Sequence, residues 1–132
     1  MANLRQGMIS IYLAQALKDK RIIVKGSPDR FRDFVYIDDV CNVVSSILTL
    51  KKLPRYACYN VATGRKVYVR EVLEEIQKRL EGSIEIIFDQ GTPGDQFGIY
   101  GCNKKLLSQF ENLEFTAFEL GMERFLNHVV ES

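Results

Sequence analysis

Two arginines alternate with an aromatic and an acid at Arg30-Phe31-Arg32-Asp33. In an extended backbone successive side chains point to opposite faces, so this spacing predicts both guanidiniums on one side and Phe31 with Asp33 on the other. Two planar forks on one face suit a phosphate or diphosphate, because each fork donates parallel hydrogen bonds to anionic oxygens. The same spacing also suits a solvated edge on which arginine and aspartate pair with each other. Asp38 and Asp39 follow just ahead of an apolar-periodic stretch, where carboxylates cap the unpaired amides of a helix.

Other chemistry-bearing residues are scattered. Tyr100 and Lys104 form a YxxxK spacing, which is weak without a nicotinamide beside it, and it reads as coincidence. Gly91-x-x-Gly94-x-x-x-Gly98 follows a strand-like run and must be weighed as a dinucleotide loop. Its third glycine is displaced by one residue, Pro93 stiffens the turn, and no βαβ unit with a ribose-binding acid follows, so the spacing argues against it. His128, the single histidine, has no nucleophile or carboxylate cluster in sequence reach and is expected on the surface. Cys41, Cys58 and Cys102 are odd in number and widely spaced, fitting neither a disulfide framework nor a zinc site; reduced, buried or semi-buried thiols in a cytoplasmic protein are expected. No catalytic residue and no metal ligand is assigned.

The elements that must position these groups read as one unit. At 132 residues, 46% hydrophobic and 27% charged, the chain fits a single domain with no long apolar run and no leader-like start. A net charge of +1 gives no field to draw nucleic acid or an anionic membrane, so any anion site is local. A helix is expected from about Leu4 to Lys18, buried on more than one side. Strand-like runs follow at Ile22 to Val24 and Phe34 to Ile37. Val40, Val43, Val44, Ile47 and Leu48 then recur at helical spacing. Lys51 to Arg55 reads as a linker to a strand at Ala57 to Ala62. Val69, Val72, Leu73, Ile76 and Leu80 mark another helix, closed by Gly82. A strand-like run at Ile84 to Phe88, an irregular stretch from Gln90 to Gly101, and a short helix at Lys104 to Phe110 come next. A last helix opens on a capping box at Thr116 and Glu119, with Phe115 and Leu120 as its staple. The alternation indicates an α/β or α+β unit of mixed short strands with about five helices.

Set in order, these segments resemble one family. Arg32 to Val40, RDFVYIDDV, looks like the RDFVYVDDV signature of the extended short-chain dehydrogenase/reductases, the nucleotide-sugar epimerases and dehydratases of the UDP-glucose 4-epimerase type. Gln6-Gly7-Met8 with Ser10 to Ala16 resembles the helix after the nucleotide-sugar loop, and Ile22 to Gly26 the strand beneath the base. Tyr59-Asn60-Val61-Ala62-Thr63-Gly64 is similar to the YNVGTG strand and turn, Pro93-Gly94-Asp95-Gln96 to the late PGD motif, and Asn103-Lys104 to its Ser-Lys. The resemblance implies the C-terminal lobe of an extended Rossmann-type epimerase, residues 1–132 forming a single substrate-binding lobe without the N-terminal NAD(P)-binding Rossmann domain. By carry-over, Arg32 contacts the nucleotide diphosphate or its ribose, Val24 and Lys25 border the nucleobase, and Met8 and Ile9 offer backbone amides near the diphosphate. Asp95 approaches the ribose or holds the arginine site in place, while Asp38 and Asp39 serve as caps and structural residues.

The departures from the pattern bear on function. The family has an arginine directly before PGD where this chain has Thr92, a change worth about 1.5–3 kcal/mol of nucleotide binding if one charge-assisted contact is lost. It also favours a glycine-rich turn where this chain has Ser27-Pro28-Asp29-Arg30, leaving Arg30 to replace part of the missing charge. The family's NAD(P) loop and catalytic YxxxK lie upstream of the region matched. The resemblance therefore implies a lobe that binds a nucleotide-diphosphate sugar, is inactive alone, and holds no NAD of its own although NAD serves the parent family. The alternative is a non-catalytic interaction module that docks on a partner carrying the Rossmann half or self-associates as a homo-oligomer through the edge at Ala57 to Ala62.

Overall fold

A computed structural model describes residues 6–50, 55–80, 82–91 and 93–131. Ile22 and Val24 lie at the centre of its core. Strand β1 (Arg21–Lys25) alternates exposed and buried positions, so these two β-branched side chains point inward together while Arg21, Ile23 and Lys25 point out. Helix α1 (Met8–Asp19) packs on β1 through Tyr12, Leu13 and Ala16, and Lys20 ends it in the left-handed conformation. The two elements are also tied by the Gln15 Oε1 atom, which accepts the Ile23 amide at 3.0 Å. The face is narrower than the sequence suggests: Ile11 and Leu17 are exposed, so α1 is buried on one side only. The expected start near Leu4 lies outside the described residues.

The remaining elements follow in order as β2 (Phe31–Arg32), α2 (Ile37–Leu48), β3 (Val67–Tyr68), α3 (Val69–Arg79), β4 (Glu85–Asp89), α4 (Lys104–Gln109) and α5 (Phe118–Glu131). Strand β4 pairs parallel with β1, Ile22 opposite Ile86 and Val24 opposite Phe88. Strands β2 and β3 form a short antiparallel pair, Phe31 opposite Tyr68 and Arg32 opposite Val67. Val69, Val72, Leu73 and Ile76 of α3 close the core with Phe118, Met122 and Leu126 of α5, each set recurring on one helical face. Mixed short strands with five helices among the described residues agree with the expected α/β class.

Several local expectations are overturned. Phe34 to Tyr36 is irregular rather than strand, and Ile37 already opens α2, because this run has no ladder partner and the Tyr36 carbonyl accepts the amides of Asp39 and Val40 instead. Ala57 to Ala62 likewise pairs with no strand among the described residues. Most of the linker at Lys51 to Arg55, residues 51–54, lies outside the described residues. Neither aspartate caps α2: Tyr36 occupies the cap position without a side-chain bond, Asp38 is exposed, and Asp39 is buried. Asp39 takes the Thr116 amide and hydroxyl, each at 2.8 Å, so Thr116 ties the approach to α5 onto α2 and does not form the expected capping box. Glu119, the other member of that box, pairs with Arg65. A carboxylate does reach back to a helix start at α3, where Glu71 accepts the Tyr68 amide at 2.8 Å.

Candidate anion site

Beyond the C-terminal end of β1 the chain turns through Gly26, whose φ of +84° is open to glycine at little steric cost. The turn brings Arg30 back beneath it. The Arg30 guanidinium is buried and spends its donors inside the protein: Nε on the Ser27 carbonyl, one terminal nitrogen on the Lys25 carbonyl and the other on Asp95. Arg32 lies two residues on, as the alternation requires, and its Nη2 approaches the second oxygen of the same carboxylate at 3.5 Å. It also donates to the carbonyls of Phe31 at 2.8 Å and Gln96 at 2.9 Å. Arg30 and Arg32 thus share a side, and Asp95 joins them. Arg30 does not present the charge expected to replace the missing arginine; it is enclosed. Thr92 lies outside the described residues.

The other carried-over positions surround this cluster unevenly. Lys25 contributes the carbonyl that Arg30 holds, whereas Val24 is wholly buried in the core, without exposed surface. Met8 opens α1, and the first helical bond, from the Ile11 amide to the Gly7 carbonyl, leaves the amides of Met8, Ile9 and Ser10 at the helix end. Tyr12, one turn on from Met8 along the same face, is close enough to the ion cluster to sense both partners. Burial pushes its phenol up, with Arg30 pulling it down and Asp95 raising it. Met8 and Ile9 also border an apolar cavity of about 370 Å³, with Phe34, Tyr36, Phe118 and Phe125 among its other walls. Arg32, Asp95, Val24 and Lys25 do not line it.

Asp33, on the opposite side of the strand from the arginines, anchors two distant segments. Its carboxylate accepts the Thr63 amide at 2.9 Å and hydroxyl at 2.6 Å, the Gly64 amide at 2.9 Å and the Gly101 amide at 3.1 Å. Burial alone would raise its pKa, but the bonds from Thr63, Gly101 and Gly64 outweigh it and hold the carboxyl below its usual value. Phe31, next to it, makes edge contacts with Tyr68, Phe97 and Tyr100. The Lys66 ammonium lies 4.9 Å from the Phe31 ring centre and 4.6 Å from that of Tyr100. The sequence reading assigned no role to Lys66 or to the Asp33 bonds. Their partners lie about thirty to seventy positions away, and no local spacing signals them.

The glycines at Gly91 and Gly98 serve packing. A Cβ at Gly98 would fall 2.3 Å from the Phe31 ring, and Gly91 lies against Gly26. Among the described residues no helix follows β4 before Lys104, so Gly91, Gly94 and Gly98 do not sit in the strand, turn and helix that cradle a dinucleotide. Tyr100 precedes α4 and is not on its face, so the YxxxK spacing does not place Tyr100 and Lys104 on one helix face. His128 is exposed on α5, as expected. Cys41, Cys58 and Cys102 are free of disulfides but exposed, contrary to the expected burial. Cys41 projects from the outer side of α2, while Cys58 and Cys102 lie on irregular segments without a covering element. Among the described residues no cluster of His, Cys, Asp and Glu could hold a metal, and no helix is long and apolar enough to cross a membrane.

Residues 2–62 match the profile of the NAD dependent epimerase/dehydratase family. Across 121 residues the chain is 31% identical to a putative UDP-glucose 4-epimerase of Methanocaldococcus jannaschii, a match spanning 92% of this chain and 38% of that relative. The chain is similar to the NAD-dependent epimerase/dehydratase family. Solved members of similar shape include a UDP-N-acetylglucosamine 4-epimerase from Methanobrevibacter ruminantium in complex with UDP-N-acetylmuramic acid, at TM-score 0.81 and 20% identity over 96% of this chain and 40% of that one. A UDP-glucuronic acid 4-epimerase from Bacillus cereus, in complex with UDP-glucuronic acid and NAD, superposes at TM-score 0.80 with 20% identity over 89% of this chain and 38% of that one. At such identity these structures establish the fold of an epimerase/dehydratase lobe. The chain spans about two fifths of the length of the relatives it matches.

Proposed function

We propose that this chain is the substrate lobe of a nucleotide-sugar epimerase or dehydratase, binding the nucleotide-diphosphate part of the sugar and catalytically inactive without an NAD-binding half. The observation that carries this reading is the convergence of Arg30 and Arg32 on the single carboxylate of Asp95, which leaves one net positive charge beside the turn at the end of β1. Arg32 is the residue assigned to the diphosphate, with the amides of Met8 and Ile9 at the end of α1 as further donors. Lys25, exposed next to the buried Val24 at the end of β1, borders the base, and Asp95 meets the ribose or holds the arginines. NAD would supply transient hydride removal from the sugar and its return, on residues outside this lobe. This lobe contributes binding and orientation. Its three exposed cysteines, free of disulfides, suit a reducing cytoplasmic setting. Titration calorimetry with UDP tests the assignment: the native chain should bind, and Arg32→Ala should weaken binding about tenfold or more. Equal binding by both would remove Arg32 from the site. Added NAD should not enable the lobe alone to interconvert UDP-glucose and UDP-galactose.

A second reading, a module that docks on a Rossmann half or on itself, is favoured by the outer face of α2. Ile37, Val44 and Leu48 are 63%, 50% and 75% exposed there. This face and the arginine cluster are compatible, since one holds a partner and the other a substrate. Light scattering tests self-association: apparent mass should rise with concentration, and a strict monomer would leave only a separate partner.

A further inference from the structure

The two arginines that meet Asp95 are not equivalent. Arg30 is the more enclosed, its side chain 10% exposed against 24% for Arg32, and its guanidinium has two main-chain carbonyls and one carboxylate oxygen as partners. A buried guanidinium requires a counter-ion, and Asp95 is the only acid paired with it among the described residues. Arg32 reaches the other oxygen at 3.5 Å, beyond ordinary hydrogen-bond length. Its closer bonds go to neutral carbonyls, so its charge is matched only through the longer contact with a carboxylate that Arg30 already holds. The carboxylate is therefore neutralised from the buried side by Arg30, and Arg32 keeps its charge for an outside anion.

From this we infer that Arg30 is a positioning residue that sets the anion affinity of the site without touching the ligand. It holds Asp95 off Arg32. Were Arg30 removed, Asp95 would turn to its remaining cation, and a diphosphate would then have to displace a carboxylate that already holds the guanidinium. The serine-proline-aspartate-arginine turn thus has a function of its own: it supplies the second cation from inside, where it tunes the first. This role rests on the functional reading of Arg32 given above.

Inorganic pyrophosphate is the discriminating probe, since it carries the diphosphate and no ribose through which Asp95 could act directly. By calorimetry, Arg30→Met should weaken pyrophosphate binding about tenfold or more, and Arg30→Met with Asp95→Asn should restore it to within about threefold of the native chain. Restoration separates positioning from contact and from mere damage to the fold, because either of those would leave the double variant as weak as the single one. Such a shared loss, or a single variant within threefold of native, overturns the inference. Should Arg30→Met fail to fold, Asp95→Asn alone should tighten pyrophosphate binding about threefold or more, and unchanged or weaker binding overturns it. If the native chain binds neither pyrophosphate nor UDP, or if Arg32→Ala binds as the native chain does, it is the functional reading that fails. Arg32-dependent binding with no effect of Arg30 would instead leave that reading intact and remove only this one.

Discussion

Helices α2 and α3 carry the same kind of apolar stripe and meet opposite fates. In α3 the residues Val69, Val72, Leu73 and Ile76 are all buried in the core that α3 shares with α1 and α5. In α2 only Val43 among the apolar residues is buried; Val44 and Leu48 face outward. Periodicity records which face of a helix seeks cover, and it does not say whether the cover lies in the same chain. One helix finds it within the lobe, and the other presents it beside Asp39, the carboxylate that fastens α2 to the approach to α5. The contrast accords with a lobe built to sit against something else.

Substitution should split the two stripes sharply. Ile76→Ala is expected to cost about 2–5 kcal/mol by urea unfolding, the loss typical of a filled core position. Leu48→Ala should stay within about 0.5 kcal/mol. A large cost at Leu48 would mean that its face is covered in solution, and its disappearance on dilution would assign the cover to a second copy.

The next effect concerns Asp33, which joins segments that neither stripe holds. Asp33→Ala should cost about 3 kcal/mol, since three amides and a hydroxyl lose a charged acceptor. Its pH dependence has a definite sign. The folded carboxyl sits below its usual value, so the stabilisation is fully present above the unfolded titration near pH 4 and is lost as pH falls through the lower folded value. Unfolding midpoints of the native chain should fall across that acid window more steeply than those of Asp33→Asn. Parallel curves would exclude an ionised Asp33 as the anchor.

The smallest effect is expected at the surface junction of α3 with α5. Arg65 bridges Glu71 at 3.1 Å and Glu119 at 2.8 Å, and the Glu119 partner raises its pKa first, against the opposing effect of burial. Because these groups are substantially exposed, Arg65→Met should cost no more than about 1 kcal/mol, and less in high salt. A salt-independent loss of several kcal/mol would mean that this junction is buried by a partner.

What the sequence disclosed follows the range of each interaction. Val69 to Ile76 and Ile22 with Val24 were legible because the periods of helix and strand are written in adjacent residues. The shared side of Arg30 and Arg32 was legible for the same reason. Their meeting with Asp95 was legible only as a resemblance, since the chain between forms most of the fold. Thr116 looked like a cap because its local spacing satisfies one, yet the buried Asp39 carboxylate takes both its amide and its hydroxyl. Phe34 to Ile37 and Ala57 to Ala62 have the composition of strands, but a strand needs a neighbour to complete its hydrogen bonds, and composition cannot supply one. The exposed cysteines were misjudged on the general tendency of thiols toward burial, which does not hold on an uncovered face.

The most direct test of a substrate lobe is residue-resolved. Amide chemical shifts of the isotope-labelled chain should be followed as UDP is added. The account predicts that the largest perturbations gather at Met8, Ile9, Val24, Lys25, Arg32 and Asp95, with the outer face of α2 unmoved. Perturbations centred on Val44 and Leu48, or none at all at saturating nucleotide, would contradict it.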